Sequence, residues 1–161
     1  MSGADTFTIG TLGIDRADIL VEARRHMYED MGESCGPSLD AADETFAVWL
    51  AEHLADGQVI GYAAWAPGGH WLGALTAHVQ AVPPSMGNPS GVQHYLLGLW
   101  VRPQARRLGV ATALVSAAVE RARADGVGAV SLMASDTGRL VYERMGFTSA
   151  PAMRKFFEPL P

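Results

Sequence analysis

Six consecutive residues, Arg106-Arg107-Leu108-Gly109-Val110-Ala111, have types and spacing that could do chemistry. They sit where a turn passes into an amphipathic helix. The first N–H groups of a helix have no partner inside it, and the positive end of the helix dipole lies there. Phosphate binds such an end readily. Gly109 removes a Cβ where a ligand would approach the backbone, and Arg106 and Arg107 add positive charge. This is the make-up of a pyrophosphate cradle. The same residues also fit an ordinary strand-to-helix turn with solvated arginines, because short glycine motifs match often by chance.

The elements that must position this turn are legible on both sides. Tyr95–Val101 is apolar almost throughout except for Gly98, which suits a strand covered on both faces. Pro103 has no N–H to donate and stops the pairing. Beyond the turn, Ala111, Leu114, Val115, Ala118 and Ala122 fall on one helical face. Downstream lies a second notable stretch, Leu140-Val141-Tyr142-Glu143-Arg144-Met145-Gly146-Phe147.

The two stretches together carry a resemblance. Arg-x-x-Gly-x-Ala, after a strand ending Val-x-Pro and before a long helix, is similar to the acetyl-CoA motif of the GNAT superfamily of N-acetyltransferases, Gln/Arg-x-x-Gly-x-Gly/Ala. The Leu140–Phe147 stretch resembles that family's "LYEKLGF". The likeness is strongest over Tyr95–Phe147. It implies acetyl-CoA as co-substrate and direct acetyl transfer to a primary amine, on a small molecule or a peptide, in a ternary complex.

By that resemblance, Leu99, Trp100 and Val101 pair through their backbone with the pantetheine arm. Arg106, Arg107, Leu108, Gly109, Val110, Ala111 and Thr112 wrap the pyrophosphate, mostly by N–H groups. A backbone N–H near Leu99 polarises the thioester carbonyl. Tyr142 stands in the position of the family's tyrosine acid, and a neutral phenol can protonate the leaving thiolate. Ser135 occupies a cofactor-side position where relatives commonly have asparagine. Many relatives place a basic glutamate near the position of Tyr95, and there is none between Val92 and Val101. Glu29, Glu33, His78, His94 or water are the alternatives; alternation turns His94 to the face opposite Tyr95. The missing glutamate keeps a second function class open, a non-catalytic acyl-CoA-binding or sensor domain of the same fold.

Composition sets the frame for these readings. The chain has 161 residues, is 48% hydrophobic, and suits one domain with a sizeable core. A net charge of −5 and a pI near 5.4 argue against general nucleic-acid affinity. The single cysteine, Cys35, excludes an internal disulfide and fits a reducing, cytoplasmic setting. No apolar run reaches transmembrane length, and the first residues lack a signal pattern. No metal-ligand cluster, Gly-x-Gly-x-x-Gly or Gly-Lys-Ser/Thr signature appears, so a metal site or another nucleotide-binding fold is not expected. A homodimer is compatible with the family resemblance.

In chain order, the pattern predicts a strand over Thr6–Leu12, then a helix from Arg16 to about Met31 with Asp15 as its cap. A second helix capped by Ser38 or Asp40 runs to Asp56-Gly57. Strands over Gln58–Ala66 and His70–Ala81 flank a Pro67-Gly68-Gly69 turn. After the loop Pro83–Gly91 come the Tyr95–Val101 strand, the long helix, a strand over Ala129–Ala134, a short helix over Arg139–Met145 and a last strand over Met153–Phe157. This is an α/β order. The family likeness adds a mixed, mostly antiparallel sheet with helices on both faces, splayed between its fourth and fifth strands. It also puts the loop between the first two helices at the acceptor site, where Glu29, Asp30 and Glu33 could meet a cationic amine; a solvated helix end explains them equally.

Overall fold

The computed structural model describes residues 7–32 and 37–157. Five strands form one sheet in sequence order: β1 (Thr8–Leu12), β2 (Val59–Trp65), β3 (Trp71–Ala81), β4 (Val92–Val101) and β5 (Ala129–Leu132). The first four pair antiparallel, and β5 joins β4 in parallel. Helices α1 (Ala17–Asp30) and α2 (Pro37–Ala55) cover one face; α3 (Val110–Ala124) and the short α4 (Arg139–Arg144) lie on the other. No helix among the described residues is long and apolar enough to cross a membrane.

Two apolar layers follow from this arrangement. Ile19, Leu20 and Ala23 of α1 and Phe46 and Leu50 of α2 pack on Val59, Ala63, Ala74 and Trp100. On the other face, Val110, Leu114, Val115 and Ala118 of α3 meet Tyr62, Leu75, Leu96 and Val101. The period expected for α3 is thus the one it buries. Burial at about 25 cal/mol per Å² is what holds both helices to the sheet.

Three expectations are corrected. Asp15 does not cap α1; it lies in a 3-10 turn over Ile14–Arg16, and Arg16 is the residue before the helix. Ser38 and Asp40 lie inside α2, and the Asp40 carboxylate accepts from Arg25 instead. Met153–Phe157 is irregular backbone and not a strand, so among the described residues the sheet has five strands. Cys35 lies outside the described residues.

One irregularity in β4 shapes the site. Ala74 pairs with Trp100 and Thr76 with Leu97, so Gly98 and Leu99 together stand opposite the single Leu75. Gly98 has φ +67°. This is a β-bulge, which shifts the side-chain alternation by one. Leu96 faces α3 and Leu97 faces α1; past the bulge Leu99 and Val101 face α3, while Trp100 faces α1. Were the same residues to run on without a bulge, Trp100 would point the other way. Gly98→Ala is expected to cost about 1–2 kcal/mol, since an L-residue resists the left-handed region. That is a drop of roughly 2–8 °C in Tm. Space does not limit the substitution, as the nearest atom to an added Cβ is Arg24 Cβ at 3.7 Å. Calorimetric melting checks it; an unchanged Tm would show that the bulge tolerates a side chain freely.

Candidate active site

The pairing of β4 with β5 runs from Gln93 to Leu96 and then stops. β5 itself ends at Leu132, so among the described residues the β5-facing edge of Leu97–Val101 has no strand beside it. The gap is the mouth of a cleft of about 1210 Å³. Leu99, Trp100 and Val101 line it, as do Arg106, Ala111, Ser135 and Tyr142. The other residues expected to hold the cofactor, Arg107, Leu108, Gly109, Val110 and Thr112, are not in its lining. They form the turn and first helical residues next to it.

That turn offers backbone rather than side chains. Arg107 has φ +64° and Gly109 φ +83°, two left-handed residues flanking Leu108. The first bond of the α3 ladder is given by the Ala113 N–H to the Gly109 carbonyl, 3.0 Å. The amides from Arg107 to Thr112 make no backbone hydrogen bond among the described residues. Such a run of N–H groups at the positive end of a helix suits a phosphate. An added Cβ on Gly109 would meet nothing within 4 Å, so this backbone lies open to a ligand. Val110 is 1% exposed, and its side chain belongs to the core. The residues present therefore fit the pyrophosphate of acetyl-CoA.

The arginine charge is distributed differently from expectation. Arg106 donates from Nη2 to Asp30 Oδ2 at 2.7 Å and from Nε to the Val101 carbonyl at 3.0 Å. The same Asp30 oxygen accepts from the Trp100 indole N–H at 2.9 Å. The Trp100 bond is the main reason the Asp30 carboxyl lies below its usual range; burial opposes it, and the bond and charge of Arg106 add to the lowering. Asp30 thus fastens the end of α1 to the end of β4, with His26 stacked on Trp100 at 4.4 Å. It lines the cleft as an engaged group. Arg107, exposed like Arg106, makes no ion pair among the described residues.

Tyr142 lies on α4 across the cleft, its ring edge-on to Phe147 at 5.8 Å. Burial raises its phenol above the ordinary value of 10, so it is protonated at neutral pH. Ser135 accepts the Gly138 N–H at 3.1 Å and shares a hydrogen with Thr137, which forms the turn leading into α4.

The candidate bases separate. Glu29 accepts from Arg25, which also holds Asp40 and Asp43, and pairs with His26; it lines neither this cleft nor the cavity beside it. His94 is 1% exposed, among α3-facing residues, and burial lowers its pKa; it is away from the cleft. Glu33 lies outside the described residues. His78 lines a second cavity of about 500 Å³ between α1, α2 and the sheet. Burial, and to a lesser degree His53, lowers its pKa, so its ring is neutral at pH 7. The Gln93 amide donates to Gln80 Oε1 at 2.8 Å, which turns the Gln80 NH₂ toward His78 Nδ1, 3.1 Å away. The lone pair on Nδ1 is therefore in use and the ring proton is on Nε2.

The second cavity contains residues that the sequence did not single out. Arg24, Tyr95 and Leu97 line both it and the cleft, and Phe46 and Trp49 form its aromatic wall. Arg24 had a signal. Leu20, Arg24, Met27, Tyr28 and Met31 stand at i, i+4, i+7, i+8 and i+11, so an arginine occupies the inward stripe of α1.

One cleft beside the bulged fourth strand thus has unbonded amides next to one end and a protonated tyrosine on its wall. The acetyltransferase (GNAT) family model matches residues 16–147. The chain belongs to the GNAT family of acetyltransferases, whose members take the acetyl group from acetyl-CoA. A GCN5-related N-acetyltransferase from Ralstonia eutropha JMP134 superposes with a TM-score of 0.87 at 28% identity, over 95% of this chain and 99% of its own. A predicted acetyltransferase with acetyl-CoA from Clostridium acetobutylicum gives 0.83 at 20% identity, over 94% and 96%. An aminoglycoside acetyltransferase from an uncultured soil metagenomic sample gives 0.70 at 18%, over 97% and 99%, which is likeness of fold. No curated protein matches the chain.

Proposed function

We propose that this acetyltransferase moves the acetyl group directly from acetyl-CoA to a primary amine while both are bound. The observation that carries the proposal is the end of β4–β5 pairing at Leu96, which lets one cleft run from the free amides of the α3 turn to Tyr142. Acetyl-CoA supplies the acetyl group as an activated thioester. The amides from Arg107 to Thr112 hold its pyrophosphate, and the open edge of Leu97–Val101 aligns its arm as an added strand would be aligned. The Leu99 N–H, set by the bulge, polarises the carbonyl where charge develops. The acceptor enters from the second cavity. As the C–N bond forms and the C–S bond breaks, Tyr142 gives its proton to the sulfur, and its phenolate then regains a proton from water. The amine arrives neutral and its surplus proton leaves to water; among the described candidates Glu29 is ion-paired, His94 faces away and His78 Nδ1 is occupied.

The test is acetyl-CoA titration by calorimetry, followed by thiol release with an amine panel at varied concentrations of both substrates. Binding, amine-dependent thiol release and intersecting initial-velocity lines are expected. Parallel lines would overturn direct transfer. Binding without thiol release from any amine would favour the non-catalytic sensor, and no binding would remove the proposal entirely.

A further inference from the structure

The charge inside the second cavity differs from the charge of the protein as a whole. The chain carries −5. Yet among the described residues no carboxylate lines this cavity. Four acidic groups of α1 and α2 are ion-paired elsewhere. Arg25 binds Glu29, Asp40 and Asp43, and Arg106 binds Asp30. The charged side chain left in the lining is Arg24.

Arg24 is held without being neutralised. Its Nη2 donates to the Tyr28 hydroxyl at 3.0 Å, and its guanidinium lies 4.1 Å from the Phe46 ring centroid. Both contacts fix its direction and neither supplies a negative charge. No carboxylate of the described residues lies within ion-pair distance of it. A guanidinium so placed keeps donors in a fork that fits a carboxylate. The residue also stands beside the reacting centre, since its Cβ is 3.7 Å from where a Cβ on Gly98 would be. The remaining walls, Phe46, Trp49 and Tyr95, suit an apolar or aromatic body.

We propose that the acceptor is an amine that also carries a carboxylate next to an apolar or aromatic side chain, an amino-acid-like molecule, and that Arg24 is the residue that selects it. This rests on the acetyltransferase function proposed above. A polycationic acceptor such as an aminoglycoside would set its charges against Arg24 with no carboxylate among the described lining residues to receive them.

Matched pairs that differ only by the carboxylate test this: L-phenylalanine with 2-phenylethylamine, L-tryptophan with tryptamine, and L-leucine with isoamylamine. Charge-assisted hydrogen bonds are worth about 1.5–3 kcal/mol. The acid-bearing member of at least one pair is therefore expected to have a kcat/KM about 10- to 150-fold higher, mainly through KM. Arg24→Met is expected to bring that ratio close to one, and Arg24→Lys to keep part of it. Thr45→Glu, an exposed position on the same wall, is expected to shift the ratio toward the carboxyl-free amine in an otherwise intact pocket. A wild-type preference for carboxyl-free amines or polycations overturns the inference, as does a ratio that survives Arg24→Met. So does failure of every pair while acetyl-CoA binds and some other amine is acetylated, an outcome that leaves the acetyltransferase function standing. Failure of acetyl-CoA itself to bind in calorimetry marks the earlier proposal as the one at fault.

Discussion

Gly109→Glu is expected to abolish acetyl-CoA binding in a protein that still folds. The backbone at Gly109 has φ +83°, and an added Cβ has no atom within 4 Å. The cost to the fold is therefore strain of about 1–2 kcal/mol, with no clash. The cost to the ligand is larger. A carboxylate would stand among the amides from Arg107 to Thr112, where the pyrophosphate is proposed to sit. Two like charges about 4 Å apart repel by about 4 kcal/mol at an effective dielectric near 20. That is roughly a thousandfold in Kd. Gly109→Asn separates charge from conformation, because asparagine visits the left-handed region with a neutral side chain. It is expected to weaken binding by about tenfold or less. Calorimetric titration of the three proteins, with melting curves to show each is folded, decides the matter. A folded glutamate variant that binds as the wild type does would show that the turn is an ordinary strand-to-helix connection.

How much of this could be read from the sequence varies from one element to the next. The strand, turn and α3 were legible because their signals are local. Pro103 ends the pairing, Gly109 allows the left-handed step before the helix, and the apolar stripe from Ala111 to Ala122 buries the face it names. Gly98 also carried a local signal, since an isolated glycine in an apolar run marks a bulge. What one residue cannot announce is the consequence, the inverted alternation that sends Trp100 to Asp30. Glu29 and Asp30 looked like free carboxylates because their partners, Arg25 with Asp40 and Asp43 and Arg106 with Trp100, come together only when α1 meets α2 and the end of β4. Met153–Phe157 has the composition of a strand. Composition alone does not make a strand: the open edge of β5 is left unpaired by this segment, and β5 pairs only with β4 among the described residues. Arg24 is the opposite case. Its position on an apolar stripe was visible, but its meaning depends on Phe46 and Tyr95 from two other elements.

Tyr142→Phe is expected to lower kcat by about 10²–10⁴, the range of a positioned proton donor, with little change in acetyl-CoA affinity. The substitution isolates the hydroxyl. The Tyr142 hydroxyl makes no hydrogen bond among the described residues, so no described partner is orphaned when the oxygen goes, and burial is what raises its pKa. The phenylalanine ring keeps the edge-on contact with Phe147. The pH profile adds a second reading of the same residue. An acid works in its protonated form, and the phenol is protonated at every pH below its raised value. Wild-type kcat/KM is therefore expected to climb tenfold per pH unit while the acceptor amine loses its proton. It should then level off, with no falling limb until above pH 10. A rise centred below 6.5 would instead point to His78, whose pKa burial lowers, as the base. A Tyr142→Phe enzyme with unchanged kcat across pH 7–9 would remove the tyrosine from the chemistry and leave it as a wall of the cleft. The proton for the thiolate would then have to come from water.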